Sequence, residues 1–475
     1  MSSTSSVTSV SAVPSAVPAP AGGAPGSAVR RRSAWAEGLD RLRAAAVTEP
    51  GRLRAIGAVL ALLVLLFGTA TAWQVSDRSA AADDVVERSQ PLTADAASIY
   101  RSLADADTTA AGGFLAGGAG SAASRARYAA DITTASNLLV KASANTRGSG
   151  SPDAAGVQIA TLSKLLPRYT GLVETARANN RLGLPLGGAY LRYANDQMRK
   201  ELLPAAQALY DAETARLSAD YGRAKDWPWF ALAAGVVAIG ALVWAQRRNY
   251  RRTNRVFNRG LLAATAASAA VLLWLVAGHA VARAELTRSY EHGARSLRVL
   301  NEARIDALQA RGDENLTLVA RGAVLTGDQK DFYEVGFRAG MRDLAGAGGP
   351  AAGGRLGAAL ALAGDDAGRR PVRDAVAAVR EWQARHAAAR EADDKGDYGR
   401  ALAKVIGSDA STGASFDRVD AGLQQALVHE QDRFRSAADG GRGAFGGLAV
   451  GAGVLAVLAA AGAVLGIGRR LSEYR

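Results

Sequence analysis

WPWFALAAGVVAIGALVWAQ (227–246), RRNYRRTNRVFNR (247–259) and GLLAATAASAAVLLWLVAGHAVA (260–282) follow one another without a gap. The outer two carry no charge, and as a helix each is about long enough to cross a hydrocarbon core of roughly 30 Å. Between them lie Arg247, Arg248, Arg251, Arg252, Arg255 and Arg259, with no acid. An arginine run clamped in this way reads as a short loop on one side of a membrane. It anchors topology and can touch anionic lipid head groups. It is too short for a helix-turn-helix and sits at the membrane surface, so no nucleic-acid partner is expected.

Two further uncharged stretches, 55–76 and 443–468, pass the same length test. Working outward, the sequence divides into a basic tail (1–54), a first span (55–76), a long polar segment (77–226), a second span (227–246) and the arginine loop (247–259). A third span (260–282), a second long segment (283–442), a fourth span (443–468) and a short tail (469–475) complete it. The two tails and the loop carry +4, +2 and +6, all but one unit of the net charge of +13. The long segments are near neutral, with 17 basic against 16 acidic residues in the first and 24 against 24 in the second. Positive residues in short segments stay cytoplasmic. Both termini and the loop are therefore expected inside, and both long segments outside, a plasma membrane. Ala70-Thr71-Ala72 has the small residues of a signal cleavage site, but the apolar run is longer than the 7–15 residues of a signal core. It reads as an anchor. Cysteine is absent, which excludes disulfides, thiol chemistry and a lipidated cysteine.

Residues 1–29 are Ser, Ala, Pro, Gly and Val without helical pattern and read as disordered. Residues 31–47 fit either a short amphipathic helix on the inner surface, with Trp35, Leu39 and Leu42 on one side, or an unstructured basic flank. The remainder is one plan used twice, span, long segment, span. DADTTAAGGFLAGG (105–118) and DENLTLVARGAVLTG (313–327) occupy similar depths in the two units, as do LGLPLGGAYLRYAN (182–195) and DDKGDYGRALAKV (393–405). Duplication or chance would both account for such faint echoes. Both long segments favour helix by composition. Leu297, Leu308 and Val319, like Ile305 and Leu316, recur at 11-residue spacing on one helix face. Breakers at 147–153, 182–188, 345–354 and 364–371 leave three or four helices per segment. The fold class expected is an all-α membrane protein, four transmembrane helices carrying two duplicated extracytoplasmic helical bundles whose first and last helices continue the spans.

No phosphate loop, nucleophile elbow, kinase loop set or H-E-x-x-H is present, and His279, His292, His386 and His429 form no pair at metal-ligand spacing. Neither catalytic residues, nor a metal, nor a cofactor is expected. The spans lack Asp, Glu, Lys and Arg, which weighs against solute passage through this chain alone. Gly443, Gly447, Gly451, Gly462 and Gly466 in the fourth span either let helices approach closely, leaving room for a homodimer, or reflect a Gly/Ala-rich genome. The polar clusters of the long segments are Asp105, Asp107, Asp313, Glu314 and Asn315, and Tyr190, Arg192, Asp397, Tyr398 and Arg400. They either receive a ligand or exported partner, or cap helices and bury their stems between them. Ser33 and Ser472 sit in short basic motifs of the kind kinases modify.

RANNRLGLPLGGAYLRYAN (177–195), RGDENLTLVARG (311–322) and DKGDYGRALAKVIG (394–407), set in this topology, resemble the actinobacterial four-pass membrane protein found beside a glutamine-binding-type lipoprotein and serine/threonine protein kinase G. The resemblance implies a sensor whose external domains meet an amino-acid-loaded, solute-binding lipoprotein and whose inner face informs the kinase. It supplies no catalytic residue. A four-span permease-like subunit coupling a cytosolic ATPase to cell-wall processes, and a chemoreceptor-like sensor that binds its small ligand directly, are the alternatives.

Overall fold

The computed structural model describes residues 49–117, 122–146, 154–253, 258–347, 353–407, 410–443 and 446–471. The tail up to residue 48, Arg255, Ser33, Ser472, the breaker at 147–153 and residues 348–352 of that at 345–354 lie outside them. The described residues contain no strand, only an isolated antiparallel bridge between Leu325 and Asp331.

The first unit comprises α1 (Glu49–Asp84), a π turn (Val85–Ser89), α2 (Gln90–Leu115), α3 (Ala122–Thr146), α4 (Ala154–Arg181), α5 (Leu186–Gln197), a π turn (Met198–Leu202), α6 (Leu203–Lys225) and α7 (Trp229–Thr253). The second comprises α8 (Arg259–Arg288), a π turn (Ser289–Ala294), α9 (Arg295–Ala320), α10 (Phe332–Ala345), α11 (Gly354–Leu362), α12 (Asp366–Asp394), α13 (Tyr398–Ile406), α14 (Thr412–Gly443) and α15 (Leu448–Leu471). The second unit has more helices than expected, because the short α11 and α13 form between its glycine-rich breaks. Four helices, α1, α7, α8 and α15, are long and apolar enough to cross a membrane.

The first helix of each unit runs from the apolar layer into the polar one without a break. Gly51–Leu115 spans 65 residues and Arg259–Ala320 spans 62, roughly 90–100 Å each at 1.5 Å per residue. Two π turns have a local cause. Pro91 and Pro204 cannot donate, and each ring crowds the carbonyl four residues back, inside the turn, so the ladder widens there. The last helix of each unit does not continue its span, contrary to the expectation. Trp227-Pro228 interrupts the first, where Asp226 is extended and a residue before proline disfavours helix. Gly447, at φ +72°, interrupts the second. Arg78 seals the first break, donating from Nε to the Asp226 carbonyl at 2.7 Å and from Nη2 to that of Trp227 at 3.1 Å. Gln74 Oε1 accepts from the Ala231 amide at 2.8 Å.

In the apolar layer α15 packs on α1 and α8, and α7 packs on the same two, closing a four-helix ring. Small residues set its spacing. A Cβ at Gly260 would lie 2.6 Å from the Gly466 Cα, and one at Gly466 would lie 3.0 Å from the Gly260 Cα. Gly462 and Gly451 also meet α8, at the Gly260 carbonyl and the Trp274 ring, whereas Gly443 and Gly447 approach nothing. The glycine contacts therefore serve packing within the chain. In the polar layer the main hydrophobic cluster runs through both units, from Leu103 and Tyr169 to Trp382 and Val419, and a smaller one joins Leu115 to Leu318 and Val405.

Gly260→Val should lower stability by about 1–3 kcal/mol, the usual cost of overpacking, read as an earlier thermal transition of the purified protein in detergent. Gly453→Val, where nothing lies within 4 Å, should leave the transition in place. Equal melts for the two variants would refute the packing role.

Candidate functional site

Two helices, α2 and α9, form the centre of the polar layer. Every residue from 102 to 108 and from 310 to 318 is buried, so around these runs no helix face is left for solvent. Small residues allow it. A Cβ at Gly112 would lie 3.3 Å from Asn315 Nδ2, and one at Gly312 would lie 3.3 Å from Thr108 Oγ1. Thr108 Oγ1 donates to the Leu308 carbonyl at 2.9 Å, and Asn315 Nδ2 donates to the Thr108 carbonyl at 3.3 Å. The acids beside these contacts must therefore find partners inside the protein.

Asp107 accepts from Asn195 Nδ2 at 2.6 Å and from the Tyr169 hydroxyl at 3.2 Å. Burial pushes its carboxyl up to about 6 despite these donors. Asp313 reaches across to the other unit, where Arg199, inside the π turn Met198–Leu202, pairs with it. Burial likewise pushes Asp313 up to about 6, against the pull of Arg199. Asp105 points to the opposite side and accepts from Arg127 Nε at 3.0 Å. Arg127 also lies 3.8 Å from both Asp417 and Asp420 of the second unit.

Glu314 is the buried acid of α9 on the side away from Arg199. It accepts from Trp382 Nε1 at 3.1 Å, meets His386 Nδ1 at 2.8 Å and pairs with Arg311. Arg311 in turn donates to Thr412 Oγ1 at 2.9 Å and to the Val405 carbonyl at 3.0 Å. His386 Nε2 lies 3.0 Å from Glu334, and Phe337 stacks on the imidazole at 3.6 Å. The two carboxylates sit on opposite ring nitrogens, so they share protons through the ring and do not converge on a point. Burial would lower His386, but the paired carboxylates outweigh it and hold the imidazole more basic than usual. Burial would raise Glu314, but Arg311 and His386 outweigh it and hold the carboxyl below its ordinary range.

Of the sequence-predicted residues, Asp105, Asp107, Asp313, Glu314 and Asn315 thus come together in mid-helix, buried. The second group stays apart. Tyr190 packs on the core and Arg192 is half-buried. Asp397 caps α13, accepting from the Arg400 amide at 3.0 Å, while the Arg400 side chain is exposed. Tyr398 donates to the Leu318 carbonyl at 3.4 Å under the Arg321 guanidinium. The helix-capping expectation holds for Asp397 and not for the α2 and α9 acids. Among the loop arginines, Arg247, Arg251 and Arg259 are exposed and Arg248 lies over the Trp244 ring. The Arg252 side chain and Arg255 fall outside the described residues. Both ends of the loop are fastened. Gln246 Nε2 donates to Thr265 Oγ1 at 2.8 Å, and Asn258 caps α8 while donating to the Gly466 carbonyl at 2.7 Å.

Sequence reasoning missed Arg199, Arg311, Glu334, Tyr169, Trp382 and His386. Only the last two carried a signal, lying one helical turn apart with alanines around them.

A family model for an actinobacterial sensor domain matches residues 81–222. The match begins just before the first π turn and ends beside Tyr221, so it covers the polar helices of the first unit. No curated protein and no solved structure matches the chain. A sensing or signalling role follows, in a protein with four membrane-length apolar helices.

His386 binds its proton more tightly folded than unfolded. That contribution is complete below about pH 6.5, the free imidazole value, and is lost as pH rises through the higher folded value. His386→Gln should therefore cost about 3 kcal/mol at pH 6, where a buried charge loses its partner, and clearly less at pH 9. Thermal melts of both proteins at the two pH values check this; equal costs at both would refute it.

Proposed function

We propose that the chain is a non-enzymatic transmembrane signal transducer that reports amino-acid availability outside the cell to a cytoplasmic serine/threonine kinase. A solute-binding lipoprotein brings the signal to the external units. Both termini and the arginine loop face the cytoplasm, where the loop meets anionic lipid and the kinase. The observation that carries the reading is the pair of uninterrupted helices, α1–α2 and α8–α9. They start in the apolar layer and end in the buried polar seam, so a change of seam geometry moves the spans directly.

The far end of the polar layer supports the external docking step. Asn180 Nδ2 donates to the Phe114 carbonyl at 2.9 Å, which places the 182–186 turn at the tip of α2. Leu182, Leu184 and Leu186 are all exposed there, an apolar tip among the described residues. On the inner side, the fastened ends of the arginine loop make its position follow α7, α8 and α15. Rotations or slides of these helices would be read there.

Crosslinking of the tagged protein in native membranes, with and without glutamate, aspartate or glutamine, should recover a solute-binding lipoprotein in an amino-acid-dependent manner, together with a kinase. Leu182→Asp should abolish lipoprotein recovery and leave the thermal melt unchanged, since that side chain is 73% exposed. Recovery of an ATPase with wall hydrolases would hand the protein to the permease reading. Kinase signalling that survives reversal of the loop charges, with topology kept, would remove the loop from the output path.

A further inference from the structure

A cleft of about 330 Å³ opens between the two units. Asp107, Asn195 and Asp313 form its floor, all at most 9% exposed. Gln207, Pro204 and Gln309 lie at its mouth, and the last two are exposed to solvent. Tyr100 and Leu203 give it an apolar wall. It is therefore an open cleft with a buried polar bottom, at the lower end of the size range of small-molecule sites.

Its charges do not balance. Asp107 and Asp313 both line it, and Arg199 is the one cation among the described lining residues. Arg199 pairs with Asp313 and reaches Asp107 only as a charge through space, so the hydrogen-bond donors to Asp107 are neutral, Asn195 and Tyr169. A carboxylate buried with neutral partners alone is costly, and a cation is what would relieve it. In the second unit the buried acid Glu314 has such a cation within the chain, from Arg311.

We propose that this cleft binds a small organic molecule through a primary ammonium group seated against the Asp107 carboxylate. The Gln207 and Gln309 amides meet the polar remainder of the ligand, and Tyr100 and Leu203 pack on its carbon chain. Because α2, α5, α6 and α9 all line the cleft, the ligand ties the two units together. Arg199 lies in a π turn, the kind of local irregularity that recurs at functional sites. This binding step goes beyond the lipoprotein relay and is read on the isolated chain, so either can fail without the other.

The ammonium group could belong to an α-amino acid or to a diamine, and the test separates them. The purified full-length protein in lipid nanodiscs would be titrated calorimetrically with the standard amino acids, with 1,4-diaminobutane, and with the N-acetylated form of whichever binds. At least one amine should bind and raise the melting temperature, and its acetylated form should not. Asp107→Asn should weaken binding at least tenfold. Gln309→Trp, at an exposed position, should block the entrance without disturbing the floor, so it tests the cleft even if the Asp107 variant fails to fold. Asp196→Asn, an exposed neighbour paired with Lys200, should bind as the parent does. Absence of binding by every amine, equal binding of the acetylated form, or unchanged binding in a folded Asp107→Asn or Gln309→Trp variant would each overturn the proposal.

Discussion

Thr108 donating across to the Leu308 carbonyl, with Gly112 and Gly312 on either side, brings the backbones of α2 and α9 closer than larger side chains would allow. Much else follows from that approach. Two helices so close, with four or more neighbours around them, have no solvent face left. Any polar side chain they carry becomes an interior group that must be satisfied locally. ADADTTAAGG and RGDENLT are thus at once the packing seam and the source of the buried charge. Of the acids that project from the seam, Asp313 reaches Arg199 in the opposite unit, and Asp105 pairs with Arg127, which in turn lies 3.8 Å from Asp420 of the second unit. Arg304 of α9 adds a contact to the same Asp420. The units are held in register by directional contacts as well as by a shared apolar core.

The same two helices enter the apolar layer, and this gives the seam mechanical reach. A helix is stiff along its axis, whereas an interrupted connection absorbs motion. The interruptions at Trp227-Pro228 and Gly447 therefore leave α1 and α8 as the direct lines between layers. Between layers both lines pass through a collar. The Tyr221 hydroxyl and Ser289 Oγ share a hydrogen bond of 2.6 Å, Ser89 pairs with Asp220, and the Tyr221 and Phe434 rings meet edge to face at 6.5 Å. Ser89 and Ser289 each sit at an end of a π turn, where the ladder is already widened. A small change of helix register at that level costs less than in a regular ladder.

Much of the architecture was legible in the sequence, because it rests on composition over long windows. Four uncharged stretches of span length and a helix-favouring remainder are signals that survive any detail of packing. The repeated plan was also visible, and α2 and α9 do lie at equivalent places. The acids of the seam were found as residues but not as an environment. Asp105 and Asp107 stand in an alanine-rich run whose shortness of side chain reads equally well as a helix end or as a close helix contact. Only the partner helix decides between them. Arg199 and Arg311 were invisible for a related reason. On a chain with this much arginine, a buried guanidinium has no local mark, and its partner lies more than a hundred positions away in the one case and one helical turn away in the other. Distance along the chain hid the Arg199 pair, and the abundance of arginine hid the Arg311 pair.

The two halves of the seam differ in how they satisfy their buried acids, and the difference bears on sensing. Around Glu314, an arginine, a tryptophan and a histidine shared with Glu334 neutralise the buried acid within the protein. That half is electrostatically closed, and any rearrangement would have to break several charge-assisted contacts at once. Around Asp107 only an amide and a phenol serve, and the space beside it is open to solvent. A protein shifts between two arrangements only as far as its ligand prefers one of them. The preference has to be created where contacts are unfinished, since a saturated site gains nothing from a visitor. The closed half fixes α9 in place, and the unfinished half leaves α2 and the π turn bearing Arg199 with something to gain. Because α2 continues α1, that asymmetry directs a response at the cleft along the first span.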